Sequence, residues 1–451
     1  MLLTNIPIEP GQESLGELIR NRKDQLSLEL ERLRIYEDQG SKRTDNWYAL
    51  APFLLDILSG NKKYCYDWID YQLTKLESSN RHRGRYLRLS SLKALLKADE
   101  LKLGPIPADL DEFLAKLSLA GPGICLSRTF FSLWPDIFEN HDQSAIDYIT
   151  RGAIAFAQMF NKPESQRILK TLFKGEKKHW RSLIDYCAAG NFQAMMDEYG
   201  HLLKGAGNDF ISAVEKLESS VGITTSSVTA QLDRGKKTVI LKEARLSCHY
   251  AVPLGNQKMT DEKGIERVAN IRDSFNSPFR PFVLSSTSIG QEGLDFHWYC
   301  SRVVHWNLPQ NPIDLEQREG RINRYKSLTV RRRLAEKYQI FLNGEESGDL
   351  WTHLFSVAEK ETKDSRESDL IPYWHIPEGE AELERFIPMF PMSREIERLD
   401  EILKILSLYR LTFGQPRQQE LLENLLHRDL NEKEMDEVKK KLVIDLSPLN
   451  Y

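Results

Sequence analysis

Apolar residues recur at three- to four-residue steps from about Leu15 to Ser219. Leu15, Leu18, Ile19, Leu26, Leu30 and Leu33 set the pattern, with charged residues between them. That spacing puts the apolar side chains on one stripe of an amphipathic helix. Further helices are predicted near Trp47–Leu58, Tyr66–Leu76, Leu89–Leu101, Asp109–Leu117, Ser144–Phe160, Trp180–Ala189 and Phe192–Leu203. Gly60, Gly84 and the Gly104-Pro105-Ile106-Pro107 stretch interrupt them, because glycine and proline disfavour a helix interior. The texture changes after Gly222. Short β-rich runs appear at Ser226–Leu232, Thr238–Leu241, Cys248–Val252, Phe282–Ser285 and Val303–Trp306, and helical stretches Gly264–Phe275 and Pro312–Ile322 alternate with the later runs. Such alternation predicts an α/β unit with a parallel sheet. Beyond about Leu342 the helical period returns, strongest in Glu380–Ile387 and Ile396–Leu411. Three parts are therefore expected: a helical region over 1–222, an α/β lobe over 223–342 and a helical C-terminal extension over 343–451.

Composition narrows the function classes. The 451 residues carry a formal net charge of −4, which excludes a polybasic nucleic-acid binder while leaving room for a local basic surface. The 41% hydrophobic and 28% charged content is that of a globular chain. No apolar run approaches the length that spans a bilayer, and the start Met1-Leu-Leu-Thr-Asn-Ile-Pro7 lacks a basic segment followed by an apolar one. The five cysteines (Cys65, Cys125, Cys187, Cys248, Cys300) lie far apart and never form C-x-x-C. Neither a disulfide framework nor a zinc ribbon is expected, so the expected location is cytoplasmic, away from membranes and in a reducing milieu.

The chemistry concentrates between Phe275 and Lys337. The apolar run Pro281–Ser285 leads into Ser286-Thr-Ser-Ile-Gly-Gln-Glu-Gly-Leu-Asp-Phe296. Hydroxyls and glycines just past a strand end suit close backbone approach to phosphates. A second strand, ending Val303-Val-His-Trp-Asn-Leu-Pro309, precedes a helix opening at Asn311-Pro312, where proline suits the first helical position. That helix carries Gln317-Arg-Glu-Gly-Arg-Ile-Asn-Arg324.

In this setting Q-x-x-G-R-x-x-R resembles motif VI of superfamily 2 helicases and translocases, and Gly290-Gln-Glu-Gly-Leu-Asp295 resembles their motif V. Ala269-Asn-Ile-Arg-Asp-Ser-Phe-Asn276 is similar to the helix ending in Phe-Asn before motif V in Swi2/Snf2-type enzymes. The stretch Asn307–Arg318 looks most like the RNA-polymerase-recycling branch of that group. The resemblance implies that 223–342 is a second RecA-like lobe. It makes Arg321 and Arg324 arginine fingers, set on one helix face, with Gln317 assisting at the nucleotide and Gly320 permitting close approach. Gly293 and Asp295 would stand at the nucleotide-facing end of motif V, and Ser286, Thr287 and Ser288 on nucleic acid. The implied cofactor is ATP with Mg²⁺, bound only in an assembled two-lobe motor, and no residue is assigned as a protein metal ligand. The physical need is clear: a phosphoryl-transfer transition state spreads negative charge over oxygens that a planar guanidinium can meet with paired N–H donors.

A first lobe needs a G-x-x-x-x-G-K-[ST] loop and a D-E-x-[DH] strand end. Gly235-Lys-Lys-Thr238 has the wrong spacing for the first, and Asp197-Glu-Tyr-Gly-His201 has one residue too many for the second and follows a helical run. The chain thus resembles the C-terminal half of a larger translocase. Its expected function is the second motor lobe of an ATP-dependent DNA helicase or translocase. Its expected partners are DNA (or RNA) and a chain or segment supplying the first lobe. The alternative is a non-catalytic nucleic-acid-binding or scaffold subunit descended from such a motor. Arg318 to Lys337 holds eight Lys or Arg against two acidic residues, a stretch expected to serve both ATP and a phosphate backbone.

Overall fold

A computed structural model describes residues 15–42, 44–77, 83–98, 100–139, 143–175, 178–189, 191–222, 226–231, 243–248, 267–279, 282–285, 295–341, 348–365, 370–388, 391–392, 394–414, 417–428 and 431–442. The chain divides into two compact units, Met1–Glu218 with Gly344–Asp349, and Ser219–Asn343 with Leu350–Tyr451. Among the described residues the architecture is mostly helical, with a small parallel sheet in the second unit.

The first unit is built of helices, as the apolar period predicts. Leu15–Glu31, Trp47–Asp56 and Leu110–Ala120 close on a core of Leu26, Leu33, Trp47, Leu50, Leu103 and Leu114. The buried indole of Trp47 donates to the Gly104 carbonyl at 2.8 Å. A Cβ at Gly104 would lie 2.8 Å from the Ser41 carbonyl oxygen and closer still to Thr44 Oγ1, so the Gly-Pro break is where backbone must pass backbone. The helix expected at Leu89–Leu101 instead spans Arg83–Leu96, and Leu103 pairs with Glu37 in a short parallel bridge. Asp197-Glu-Tyr-Gly-His201 lies inside the helix Asn191–Gly205. There Thr129 Oγ1 donates to Asp197 at 2.6 Å and Gln193 Nε2 at 2.9 Å. Burial pushes the Asp197 carboxyl pKa up against those two hydrogen bonds. His201 Nδ1 meets Asp349 at 2.6 Å, joining the Gly344–Asp349 segment to this unit. Asp197-Glu-Tyr-Gly-His201 is thus a helical stretch and not a strand end.

The second unit corrects several expectations. Ser226–Gln231 and Glu243–Cys248 form an antiparallel hairpin in register Ser226↔Cys248 through Gln231↔Glu243, where a parallel sheet was expected. The run Thr238–Leu241 lies outside the described residues, and Phe282–Ser285 is not a strand. The small parallel sheet pairs Arg302–Val304 with Glu384–Phe386. Glu384–Phe386 falls in a stretch whose periodicity predicts helix. Three residues of strand are too few for alternation to outweigh a helical period, and their partner is some 80 positions away. The unit also contains the helices Pro312–Glu319, Leu328–Tyr338, Leu350–Ser365 and Glu395–Leu411, with the first packed on the fourth and the second on the third. Val330, Leu334, Tyr338, Leu354, Phe355 and Ala358 form one core, Phe275, Phe296 and Ile322 a second, and Leu308, Leu315 and Ile402 a third. No helix among the described residues is long and apolar enough to cross a membrane.

Candidate functional site

The helix bearing Gln317 opens as its sequence dictates. Pro312 takes the first helical position, and the Asn311 side chain accepts the Ile313 backbone N–H at 3.0 Å, satisfying a donor that has no partner within the helix. Leu315 is fully buried between Leu308 and Ile402. The helix stops at Glu319. Arg321 and Arg324 therefore do not share a helix face, contrary to expectation. Gly320 is a poor helix former, and the chain beyond it is claimed by long-range contacts. Ile322 enters the core with Phe275 and Phe296. The Arg321 carbonyl accepts the Phe296 N–H at 3.1 Å, and the Leu328 N–H donates to the His297 carbonyl at 2.9 Å. Segments 295–298 and 321–328 are thus laced together, and the arginines leave from turn and irregular backbone.

This lacing unites the two motifs. Arg324 Nη2 pairs with Asp295 Oδ1 at 3.0 Å, and its Nε donates to the Gly320 carbonyl at 3.0 Å. The Arg324 side chain remains 44% exposed. A guanidinium oriented by a carboxylate yet open to solvent keeps donors for an incoming phosphate oxygen. Arg321 is half-buried and Gln317 exposed. Gly320 has an ordinary helical backbone, φ −60°, and a Cβ there would sit 3.2 Å from Glu316 O. Its glycine is not required by conformation. Asn276, closing the helix Arg267–Phe275, donates from Nδ2 to the Asp295 carbonyl at 2.6 Å, so the Phe-Asn signature fixes the motif V end that meets Arg324. Ser286, Thr287, Ser288 and Gly293 lie outside the described residues.

Three further residues, not singled out from sequence, hold the motif VI helix. Arg385 grips Glu319 with both nitrogens of its fork, Nη2 to Oε2 at 2.7 Å. The buried His305 ring meets Glu319 Oε1 at 3.1 Å, and Arg410 pairs with Glu316. Burial opposes the charge on Glu319, but the hydrogen bonds from His305 and Arg385 bring its pKa down to about 2. A cleft of about 490 Å³ lies beside this network, lined among others by Gly320, Asn323, Arg385 and Arg410. The motif pattern gave Glu319 no role, and Arg385 and His305 are distant in sequence and carry no motif.

The basic stretch is mostly structural. Arg331 is 1% exposed, donates to the Trp298 and Lys326 carbonyls, and stacks over Tyr299 at 5.3 Å. Arg333 donates to the Ala381 and Ile376 carbonyls at 2.7 and 2.6 Å, and Lys337 pairs with Glu361 and Glu378. Arg318 caps the Asn307 carbonyl at 3.0 Å. Burial drops the His297 pKa to about 4 against the pull of Asp295. Among the described residues no group of three or more His, Cys, Asp or Glu side chains is placed to hold a metal ion.

The comparisons with known proteins bear on this two-motif segment. Residues 217–326 match the family model of the helicase conserved C-terminal domain, which supports a superfamily 2 helicase C-terminal lobe and a helicase-type motor component. No curated protein and no solved structure matches the chain.

Proposed function

We propose that the chain supplies the second motor lobe of an ATP-dependent DNA translocase or helicase of Swi2/Snf2 type, its lobe centred on 223–342 and its first RecA-like lobe contributed by another chain or segment. The observation that carries the reading is the Arg324–Asp295 ion pair, which joins motif VI to motif V inside the matched span. In this reading Asp295 and Gly320 orient Arg324, and Arg324 with Arg321 places guanidinium donors where charge develops on the transferred phosphoryl group. Gln317 assists at the nucleotide, and Ser286, Thr287 and Ser288 contact the nucleic acid. ATP with Mg²⁺, once bound by both lobes, supplies the phosphoryl group that is cleaved.

The test is ATP turnover of the chain alone and of the complex that co-purifies with it. The isolated chain is expected at background, because it has no phosphate loop to cradle the β- and γ-phosphates. The DNA-stimulated complex is expected to lose ~10³-fold in Arg324→Ala, the scale of an arginine finger. Arg324→Lys should rescue poorly, since an ammonium keeps the charge but loses the fork. Full turnover in the Arg321→Ala, Arg324→Ala double variant would overturn the mechanism, and a complex with no turnover at all would favour the scaffold alternative.

A further inference from the structure

We propose that Tyr325 and Trp374 form a stacking platform for a nucleobase, set directly beyond the arginine-bearing turn. The inference rests on the motor-lobe reading and adds to it a site for a base, where the motifs address only phosphate. Three rings run in a column from core to solvent. Phe355 is 2% exposed. Tyr373 lies over it with centroids 5.3 Å apart and planes 10° from parallel, and Tyr325 continues the column at 5.4 Å and 16°. Tyr325 is the outermost ring, 46% exposed, and Trp374, also 46% exposed, meets it edge-on at 6.0 Å. Large aromatic side chains usually bury their faces. Here two of them present ring surface together at one point, backed by rings that cannot shift without disturbing the core.

The backbone aims this platform. Lys326 has φ +51°, a left-handed conformation that a side chain adopts at a cost and that persists where surroundings over-determine it. Its N–H donates to the Tyr373 carbonyl at 2.7 Å, and the Ser327 N–H to the Arg324 carbonyl at 3.0 Å. Its ammonium lies 4.5 Å from the Phe355 ring centroid and 5.6 and 5.7 Å from those of Tyr325 and Tyr373. The same four-residue turn therefore holds the half-exposed Arg324 at one corner and Tyr325 at the next. A guanidinium for phosphate beside a ring for a base matches the two chemical halves of a nucleotide unit. The base can belong to an unpaired stretch of strand or to a free nucleotide; both offer the same π-face.

The full chain is tested with three probes: a labelled single-stranded oligo-dT, an abasic oligomer of the same length, and ATP. Fluorescence anisotropy follows the labelled strand, and equilibrium dialysis follows ATP. Tyr325→Ala is expected to weaken the base-bearing probe roughly five- to hundred-fold, the range for removing one base-stacking ring. The abasic oligomer should be unaffected, and the salt slope unchanged, because no phosphate contact is lost. Tyr325→Phe should stay within about twofold of wild type. Tyr325→Leu preserves apolar cover without a π-face, so it carries the test if the alanine variant unfolds. Tyr325 dependence with oligo-dT assigns the base to a strand, and dependence with ATP alone assigns it to the nucleotide. If the wild-type chain binds oligo-dT or ATP and Tyr325→Leu binds every probe equally well, the platform is overturned while the lobe reading stands. If the wild type binds neither oligomer nor ATP, the platform falls, while the lobe reading, in which ATP is held only by the assembled motor, is decided separately by turnover of the co-purified complex.

Discussion

Residues 317–325 and the helix Leu328–Tyr338 are neighbours in sequence and almost equally basic, yet they use their charges in opposite ways. In the first, Arg324 is held by one carboxylate and one carbonyl and keeps nearly half its surface in water. In the second, Arg331 is buried, its fork filled by the Trp298 and Lys326 carbonyls, and Arg333 is likewise tied to Ala381 and Ile376. Formal charge is the same; availability is not. A buried guanidinium survives because its donors meet carbonyl oxygens that would otherwise lack partners. An exposed one is free to exchange its contacts for a ligand's at little cost.

The largest effect is expected from removing the buried arginine. Arg331→Met keeps much of the side-chain volume but leaves two carbonyls without a donor, each worth about 1–3 kcal/mol. A loss of about 3 kcal/mol in the stability of the second unit is expected from urea denaturation. Arg324→Ala should cost less than about 1 kcal/mol in the same assay, as a partly exposed ion pair does. Equal losses from the two variants would erase the distinction.

A smaller effect is expected from pH. Glu319 has its pKa brought down to about 2 by His305 and Arg385, below the ordinary ~4.3 of a glutamate in an unfolded chain. Its contribution is therefore complete above about pH 4.3 and is lost as pH falls through the folded value. With the pair partly solvated, the loss is about 1–2 kcal/mol. Glu319→Gln should lower the plateau above pH 5 by that amount and flatten the fall below pH 4.3, leaving the slope above pH 5 unchanged. A curve of unchanged slope in the variant would remove Glu319 from the network that holds the motif VI helix.

The contrast also shows what the sequence makes legible. The helices of the first unit follow from apolar period. The cap at Asn311-Pro312 is visible because capping is local chemistry, decided by two adjacent residues. The end of that helix at Glu319 is decided elsewhere, by the Phe296 N–H and the core around Ile322, and no local signal reports it. The strand Glu384–Phe386 is hidden for a related reason: it is a strand because Arg302–Val304 lies beside it. Motif spacing singles out Arg324 and Asp295, but their contact appears only in three dimensions. Charge counting over 318–337 fails most clearly, since it weighs Arg331, Arg333 and Lys337 as if they faced solvent.

Arg332 offers the finest discrimination, because it stands between two committed arginines and shares neither fate. It is exposed, and among the described residues it makes no hydrogen bond or ion pair. Arg332→Ala is accordingly expected to change stability by less than about 0.5 kcal/mol, the range of a surface substitution away from specific contacts. If the second unit carries a nucleic-acid strand, this side chain is a cation in the basic stretch free to neutralise a phosphate. Its removal should then lower the salt slope of oligo-dT binding by about 1 and weaken affinity to a similar degree for every base sequence. Arg333→Ala gives the opposite signature: lost stability, because two carbonyls lose their donor, and an unchanged salt slope in the fraction that remains folded. A slope that stays constant in Arg332→Ala would place the strand's path away from the outer face of this helix, leaving the exposed arginine of the motif VI turn as the nearer guide to where phosphate binds.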